Sequence, residues 1–479
     1  MVTLSADADA TAIRALFDAQ AATALALRES TAPQRRDKLR RLSRAVLARR
    51  ERWYAAFHAD LGKPRMEVEL TELLPVLDEA SHAIGHLQRW MRLRRIGATL
   101  TTLGTSARVQ YQPRGRCLII GPWNYPLNTV LGPLVSAVAA GNTAILKPSE
   151  FTPHVNALVE EVIAEVFGPQ EVALVQGAVK TSECLLALPF DHIFFTGSPE
   201  VGKKVMAAAA LHLTSVTLEL GGKSPAIVDA SADVEAAVRM LAWGKLTNAG
   251  QTCVAPDHVY VHQSVEARFI ACWRRVVAER YGRNAPDVAA SAHLGRMVTE
   301  RHAERMAALI EDAVAKGATR LDGGEHDTPM RYVAPTLLGR IPGDARIASE
   351  EIFGPVLPLH VFDSVDEVVA RINAAFKPLA LYLFARDRAL VAKLQQQTSS
   401  GSLGVNLCVQ QYAHSQLPFG GVNHSGMGNA HGFYGFRAFS HERACLYNGP
   451  LNGLRLFFPP YSPMKLGWAQ KLVKLIART

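Results

Sequence analysis

Between residues 118 and 220 short apolar strands alternate with helical stretches, and this alternation limits the fold more than any other feature of the sequence. Leu118-Ile-Ile120 ends at Gly121-Pro122. Leu134–Ala140 reads as a helix, Thr143–Leu146 as a strand, His154–Phe167 as a helix and Val172–Val175 as a strand. The series continues through His192–Phe195, Val201–Ala210 and Val216–Leu220. Strands that alternate with helices pair in parallel through right-handed crossovers, and their ligands sit at the strands' carboxyl ends. A second alternating series follows Gly221, which predicts a second α/β domain. The first hundred residues read instead as helices, Ala12–Arg28, Gln34–His58 and Glu67–Arg94, with few internal breakers. From about Ile96 the texture changes, and Thr101–Tyr111 predicts a hairpin.

Composition narrows the class. A chain of 479 residues is too long for one core, and 48% hydrophobic with 20% charged residues is a globular balance. No apolar run reaches the length of a membrane span, and Met1–Asp7 lacks a basic stretch before an apolar core, so no signal peptide is expected. The six cysteines lack metal-ligand or disulfide-framework spacing, and the histidines form no cluster. We therefore expect a reducing compartment, the cytoplasm by default, and no metal. The net charge of +9 does not imply nucleic acid. The basic run at 35–52 interleaves with Leu39, Leu42, Val46 and Leu47 at helical spacing, as a solvated helix face does. More than half of the net charge lies in 451–479, where Arg455, Lys465, Lys471, Lys474 and Arg478 have no acidic neighbour.

Several segments carry chemistry. In Asn248-Ala-Gly-Gln-Thr-Cys253 the thiol can stand exposed on a tight turn, although a lone cysteine is more often a small buried hydrophobe. Glu219 interrupts an apolar strand just before Gly221-Gly222. Burial there would raise its pKa toward the range of a general base, whereas a strand-end Glu facing solvent would do nothing. Asn124, in Gly121-Pro-Trp-Asn-Tyr-Pro126, presents a rigid amide of the kind an oxyanion requires, or merely forms the turn. Phe194-Phe-Thr-Gly197-Ser198-Pro-Glu-Val-Gly202 follows a strand and opens a helix, so its amides could face a pyrophosphate. Lys147-Pro-Ser-Glu150 ends a strand where ribose hydroxyls could be held.

Taken together, these segments resemble the aldehyde dehydrogenase superfamily from about residue 34 to residue 450. Glu219-Leu-Gly-Gly-Lys-Ser, Gly250-Gln-Thr-Cys253, Pro122-Trp-Asn-Tyr-Pro126, Phe195-Thr-Gly-Ser198, Glu350-Glu-Ile-Phe-Gly-Pro355 and Pro418-Phe-Gly-Gly-Val422 occur in the family's order. Lys377-Pro-Leu-Ala-Leu-Tyr382, Ser425-Gly-Met-Gly428, His431-Gly and Phe439-Ser-His441 are similar to its class 3 branch of fatty, aromatic and coniferyl aldehyde dehydrogenases. The resemblance implies that Cys253 attacks the aldehyde, that Asn124 and the Cys253 N–H hold the oxyanion, and that Glu219 activates water to hydrolyse the thioester. It implies a nicotinamide cofactor, NAD with NADP as the alternative. Lys147 and Glu150 would lie on the adenine ribose; Trp123, Ser198, Gly197 and Gly202 along the pyrophosphate; Glu351 and Phe353 at the nicotinamide ribose. Tyr125 and Phe419 would line the aldehyde channel. One position departs from the family: a usual glycine is Asn423, a residue that tolerates positive φ.

The implied fold class is α/β, with two doubly wound parallel-sheet domains and a β oligomerisation element. Residues 1–95 and 114–218 form the Rossmann-like cofactor domain, 219–415 the catalytic domain, and 96–113 with 438–450 the element that pairs across a homodimer interface. Two other functions share the fold: a dehydrogenase that passes its thioester to coenzyme A, and a catalytically silent binding protein. Glu219 argues against the first, the intact Cys253, Glu219 and Asn124 against the second. The tail 451–479 reads as an amphipathic basic helix, either docked on its own subunit beside the channel or in peripheral contact with a membrane.

Overall fold

A computed structural model describes residues 9–477; Met1–Asp7 and Arg478 of the readings above lie outside the described residues. Two parallel sheets organise the chain. The first has six strands in the order Gly426–Met427, Ser215–Leu220, His192–Gly197, Arg116–Ile120, Thr143–Lys147 and Val172–Leu174, and only the two-residue strand is antiparallel. Every residue of Thr143–Lys147 is buried, as befits a central strand covered by helices on both faces. The strand order reverses between Arg116–Ile120 and His192–Gly197, which makes the space beyond their carboxyl ends a crevice for a ligand. The helices Ala32–Ala48, Leu74–Trp90, Asn128–Ala140 and Pro153–Val166 pack their apolar faces on this sheet through Leu39, Leu87, Leu134 and Val159.

The second sheet has seven strands: Thr319–Asp322, Thr336–Gly339, Val356–Phe362, His258–His262, Pro225–Val228, Ala380–Phe384 and Ser402–Val405, parallel except for the first. Its core includes Trp273, Phe269 and Tyr382, all fully buried. Only Gly221–Ser224 separate the strand Ser215–Leu220 of the first sheet from Pro225–Val228 of the second. The carboxyl ends of one sheet are therefore wired directly to the amino ends of the other.

The expectation of three uninterrupted amino-terminal helices is corrected in detail. The first breaks at Gln20, the second at Arg49, and the third contains a π-helical turn, Glu69–Leu73, before running to Trp90. The hairpin forms, between Arg94–Ile96 and Thr105–Pro113. The pairing expected across a subunit interface is made within one chain instead: Thr105–Pro113 lies antiparallel to Ser440–Asn448 over its whole length. The tail forms a helix, Pro463–Ile476, capped by Ser462, but none of its residues is buried. Among the described residues, none beyond His431 lines the cavity described next, while the Gly453 N–H of the tail donates to the Leu103 carbonyl of its own chain at 3.4 Å.

Candidate active site

A cavity of about 1190 Å³ opens between the sheets. Loops that leave the first sheet, Pro122–Tyr125 and Gly197-Ser198, face loops that enter the second, Gly221–Lys223, Thr252–Val254, Glu351 with Phe353, and Phe376-Lys377. The cavity lies at the carboxyl strand ends of the first sheet, where ligands were expected, but at the amino ends of the second. The four-residue link between the sheets is the reason.

Cys253 stands half-buried on the turn that follows Gln251. The backbone that delivers it is left-handed at Asn248 (φ 54°), Ala249 (φ 51°) and Gly250 (φ 76°), and a Cβ on Gly250 would meet the Gly354 carbonyl oxygen at 2.2 Å. Gln251, with no exposed surface, holds the loop by its side chain: Nε2 donates to the carbonyls of Asn248 (2.9 Å) and Arg296 (3.0 Å), and Oε1 accepts from the Val298 N–H (3.0 Å). Asn124 Nδ2 donates to the Gln251 carbonyl at 2.9 Å, which ties the Pro-bracketed turn to this loop. An amide nitrogen carries two protons, so one N–H of Asn124 remains for the cavity. Beside it, the Tyr125 hydroxyl is bonded to Thr252 Oγ1.

Glu219 lies on the strand Ser215–Leu220, opposite Thr196 on one side and Gly426 on the other. Its Oε2 accepts from Thr196 Oγ1 at 3.5 Å, and its Oε1 is buried with no hydrogen-bond partner among the described residues. Burial pushes its pKa up to about 8, against a smaller pull from Thr196. Burial likewise pushes the Cys253 thiol up to about 12; the charges of Glu219 and Glu351 add to this, while the N–H groups of Val254 and Cys253 oppose it. Glu351 is itself raised to about 7 by burial, and its carboxylate lies against Gly221, where a Cβ would meet it at 2.4 Å. The resting site is thus a neutral thiol facing two carboxyl groups that titrate near neutrality.

Toward the first sheet, the Trp123 and Phe353 rings meet edge to face with centroids 5.4 Å apart, and Phe353 is held at φ 53°. Ser198 caps the helix Pro199–Ala210, its Oγ accepting from the Val201 N–H at 3.3 Å. That helix start at the strand-order reversal, with Gly197 and Ser198 on the cavity wall, suits a pyrophosphate. On the other side the wall includes Leu70, Leu74, Pro133, Tyr412, Phe419 and His431, with Asp78 and Glu79 beyond them. Tyr412 meets Phe419 (4.7 Å) and His431 (4.6 Å) edge to face, and burial lowers His431 to about 4, so it stays neutral.

Of the residues singled out in the sequence, Cys253, Glu219, Asn124, Trp123, Tyr125, Gly197, Ser198, Glu351, Phe353 and Phe419 line this one cavity. Lys147, Glu150 and Gly202 do not. Lys147 is buried at the end of its strand, 3.5 Å from Glu150 and donating to the Pro148 carbonyl, one strand away from the reversal point. Gly202 is a packing glycine: a Cβ there would meet Leu220 Cδ2 at 2.7 Å. Asn423 adopts φ 54°, and its Oδ1 accepts from Lys377 Nζ at 2.9 Å. Thr196, Gln251, Tyr412 and His431 were not singled out as functional. Gln251 lies within the Gly-Gln-Thr-Cys run, whereas nothing local marks Tyr412.

The sequence profile of the aldehyde dehydrogenase family matches residues 1–445. The chain belongs to the aldehyde dehydrogenase family. Human aldehyde dehydrogenase family 3 member B1 is 41% identical over 434 residues, 90% of each chain. Among solved structures, the substrate-bound state of Staphylococcus aureus AldH superposes with a TM-score of 0.91 at 37% identity, covering 96% of this chain and 99% of that one. The NAD⁺ complex of an aldehyde dehydrogenase from Bacillus cereus superposes with a TM-score of 0.84 at 26% identity, over 92% and 90%. This aldehyde dehydrogenase is an α/β enzyme of the aldehyde-oxidising class, related to family 3.

Proposed function

We propose that this enzyme oxidises hydrophobic aldehydes, long-chain or aromatic, to carboxylic acids with NAD as the oxidant, through a thiohemiacetal and a thioester on Cys253. The observation that carries the reading is the convergence of Cys253, Asn124 and Glu219, whose Oε1 has no partner among the described residues, on one cavity that Leu70, Leu74, Tyr412 and Phe419 also line. The cofactor would lie with its pyrophosphate at Gly197-Ser198 and its nicotinamide ribose between Glu351 and Phe353, with Trp123 alongside. When bound, it supplies the acceptor for a hydride, two electrons and a proton, from the aldehyde carbon. An aldehyde carbon is no hydride donor until a nucleophile has added to it, and Cys253 makes it one. Asn124 and the Cys253 N–H carry the negative charge that develops on oxygen. Glu219 then takes a proton from the water that attacks the thioester; the acid leaves, and the sulfur takes back the proton it gave up when it attacked the aldehyde, which restores the resting thiol.

Leu70, Leu74, Tyr412 and Phe419 offer contact to an apolar chain or ring, while Asp78 and Glu79, one helical turn beyond Leu74, line the same cavity. Acid production from a panel of aldehydes with NAD, with and without coenzyme A, tests the whole reading. Rapid turnover of decanal and benzaldehyde without coenzyme A is expected; strict dependence on coenzyme A would transfer Glu219 to another role, and no turnover would leave a binding protein.

Two contacts extend this reading. The strand Ser440–Asn448 covers one side of Thr105–Pro113 and leaves its own far side open, with Leu446 and Tyr447 exposed, which suits pairing with a second copy in a homodimer. The tail exposes Leu454, Leu456, Phe458, Met464, Leu466, Trp468, Val473 and Leu475 beside Lys465, Lys471 and Lys474, without an acidic residue. That combination matches an anionic lipid surface, from which poorly soluble aldehydes would be drawn.

A further inference from the structure

Beneath the turn that carries Asn124 lies a fully buried ion pair that no step of the proposed reaction uses. Lys63 follows Gly62, the left-handed cap of the helix Arg50–Leu61, and Glu72 lies in the π-helical turn. Lys63 Nζ is 2.6 Å from Glu72 Oε1, and neither side chain has any exposed surface. Taking both charges out of water is costly, and an apolar pair of the same shape would hold the fold at least as well. The pair's remaining contacts show where it acts. Lys63 Nζ donates to the Asn124 carbonyl at 3.3 Å and sits 4.2 Å from the centroid of the Tyr125 ring. Glu72 Oε2 accepts from the N–H of Asn128 at 3.1 Å, at the first turn of the helix that follows. The segment bearing Asn124 is thus held by the ammonium at its middle and by the carboxylate at its end.

The Asn124 carbonyl is gripped from two directions, because Asn248 Nδ2 of the nucleophile loop also donates to it, at 2.8 Å. One grip ties Asn124 to the loop that carries Cys253; the other, Lys63, ties it to the helical layer beneath. With its carbonyl fixed by both, and one amide proton committed to the Gln251 carbonyl, the direction of the remaining Asn124 N–H is determined. We infer that Lys63 is a positioning residue for the oxyanion donor: its ammonium fixes the Asn124 carbonyl and the Tyr125 ring and so aims the Asn124 amide into the cavity. A donor misplaced by about 1 Å loses of the order of a hundredfold in rate, so a charge that touches no substrate can still set the speed of the first chemical step. The inference rests on Asn124 being that donor.

The test is a double-mutant cycle read in the pre-steady-state burst of NADH. Because Lys63→Met alone would leave Glu72 charged and unpaired, the variant is Lys63→Met with Glu72→Gln, neutral and of similar volume. The expected result is a burst rate constant lower by about 10- to 100-fold, with NAD affinity and thermal midpoint close to wild type. A purely structural role would lower the midpoint and leave the burst of folded enzyme unchanged. In an Asn124→Ala background the same pair should cost no more than about twofold further, since the donor it aims is gone. A wild-type burst in the Lys63–Glu72 variant, or a full multiplicative loss on top of Asn124→Ala, overturns the inference. A wild-type burst in Asn124→Ala alone instead removes Asn124 as the donor, which is a separate failure. Should the neutral pair not fold, Lys63→Arg serves: it keeps Glu72 paired but puts a planar fork where a point charge met the Asn124 carbonyl, so the burst should fall by at least about threefold with NAD affinity close to wild type. A wild-type burst in that variant overturns the inference as well.

Discussion

Burial and the charges of Glu219 and Glu351 raise the Cys253 thiol to about 12, which favours its protonated form at neutral pH. The Cys253→Ala variant should lose aldehyde oxidation by at least about a thousandfold while still binding NAD, because the pyrophosphate and ribose contacts lie elsewhere. Substantial steady-state NADH formation by that variant would discard the covalent route. Glu219 must be ionised to accept a proton, and its pKa is raised to about 8. Hydrolysis of the thioester should therefore climb as pH rises through about 8 and then level off, the carboxylate form being the active one. In Glu219→Gln the burst should persist while the later steady rate falls and loses this rise. A steady rate that keeps both its size and its pH profile would remove Glu219 from the reaction. For the cofactor, Glu150 beside Lys147 would accept hydrogen bonds from a ribose and repel a 2′-phosphate, so kcat/KM should favour NAD over NADP. A higher kcat/KM with NADP counts against placing the ribose there.

At the scale of elements, the loop from Asn248 to Cys253 depends on left-handed backbone at three successive residues. Gly250→Ala would set a Cβ against the Gly354 carbonyl as well as forcing an L-residue to φ 76°, and should destabilise the fold by about 2–4 kcal/mol with most of the activity lost. A variant with unchanged thermal midpoint and rate would show that the loop relaxes freely. Much of this was legible beforehand. The strands at 118, 143, 172, 192 and 216 each form, because parallel strands buried over most of their length leave near-continuous apolar runs in the sequence. Cys253, Glu219 and Asn124 stood out because each is a reactive or polar group where local packing offers no use for it. The break at Arg49 and the π-turn at Glu69–Leu73 were not legible, since both interrupt a helical apolar pattern that itself continues. The packing role of Gly202 was not legible for a related reason: a glycine near a helix start serves a phosphate or a close packing contact alike, and only its approach to Leu220 reveals the second. Lys63 and Glu72 left no sign, because a lysine in a link and a glutamate nine residues on, in the helix that follows, look like any surface pair.

For the whole molecule, the question is what meets the tail. Its basic residues and exposed apolar side chains should give binding to anionic liposomes at low salt that weakens as salt screens the lysines. Co-sedimentation with phosphatidylserine vesicles, comparing the full chain with a truncation after Pro450, checks it. If both forms stay in the supernatant at low salt, the tail has another partner. The two sheets, meanwhile, are leashed to each other twice. The link Gly221–Ser224 spans at most about 14 Å when fully stretched, and the return strand Gly426–Met427 stitches a late part of the chain back onto the edge of the first sheet beside Glu219. Two ties this short limit how far the sheets can separate between turnovers, although a short link still lets them swing. The departure of a bulky acid should therefore depend on side chains at the cavity mouth as well as on any angle between the sheets.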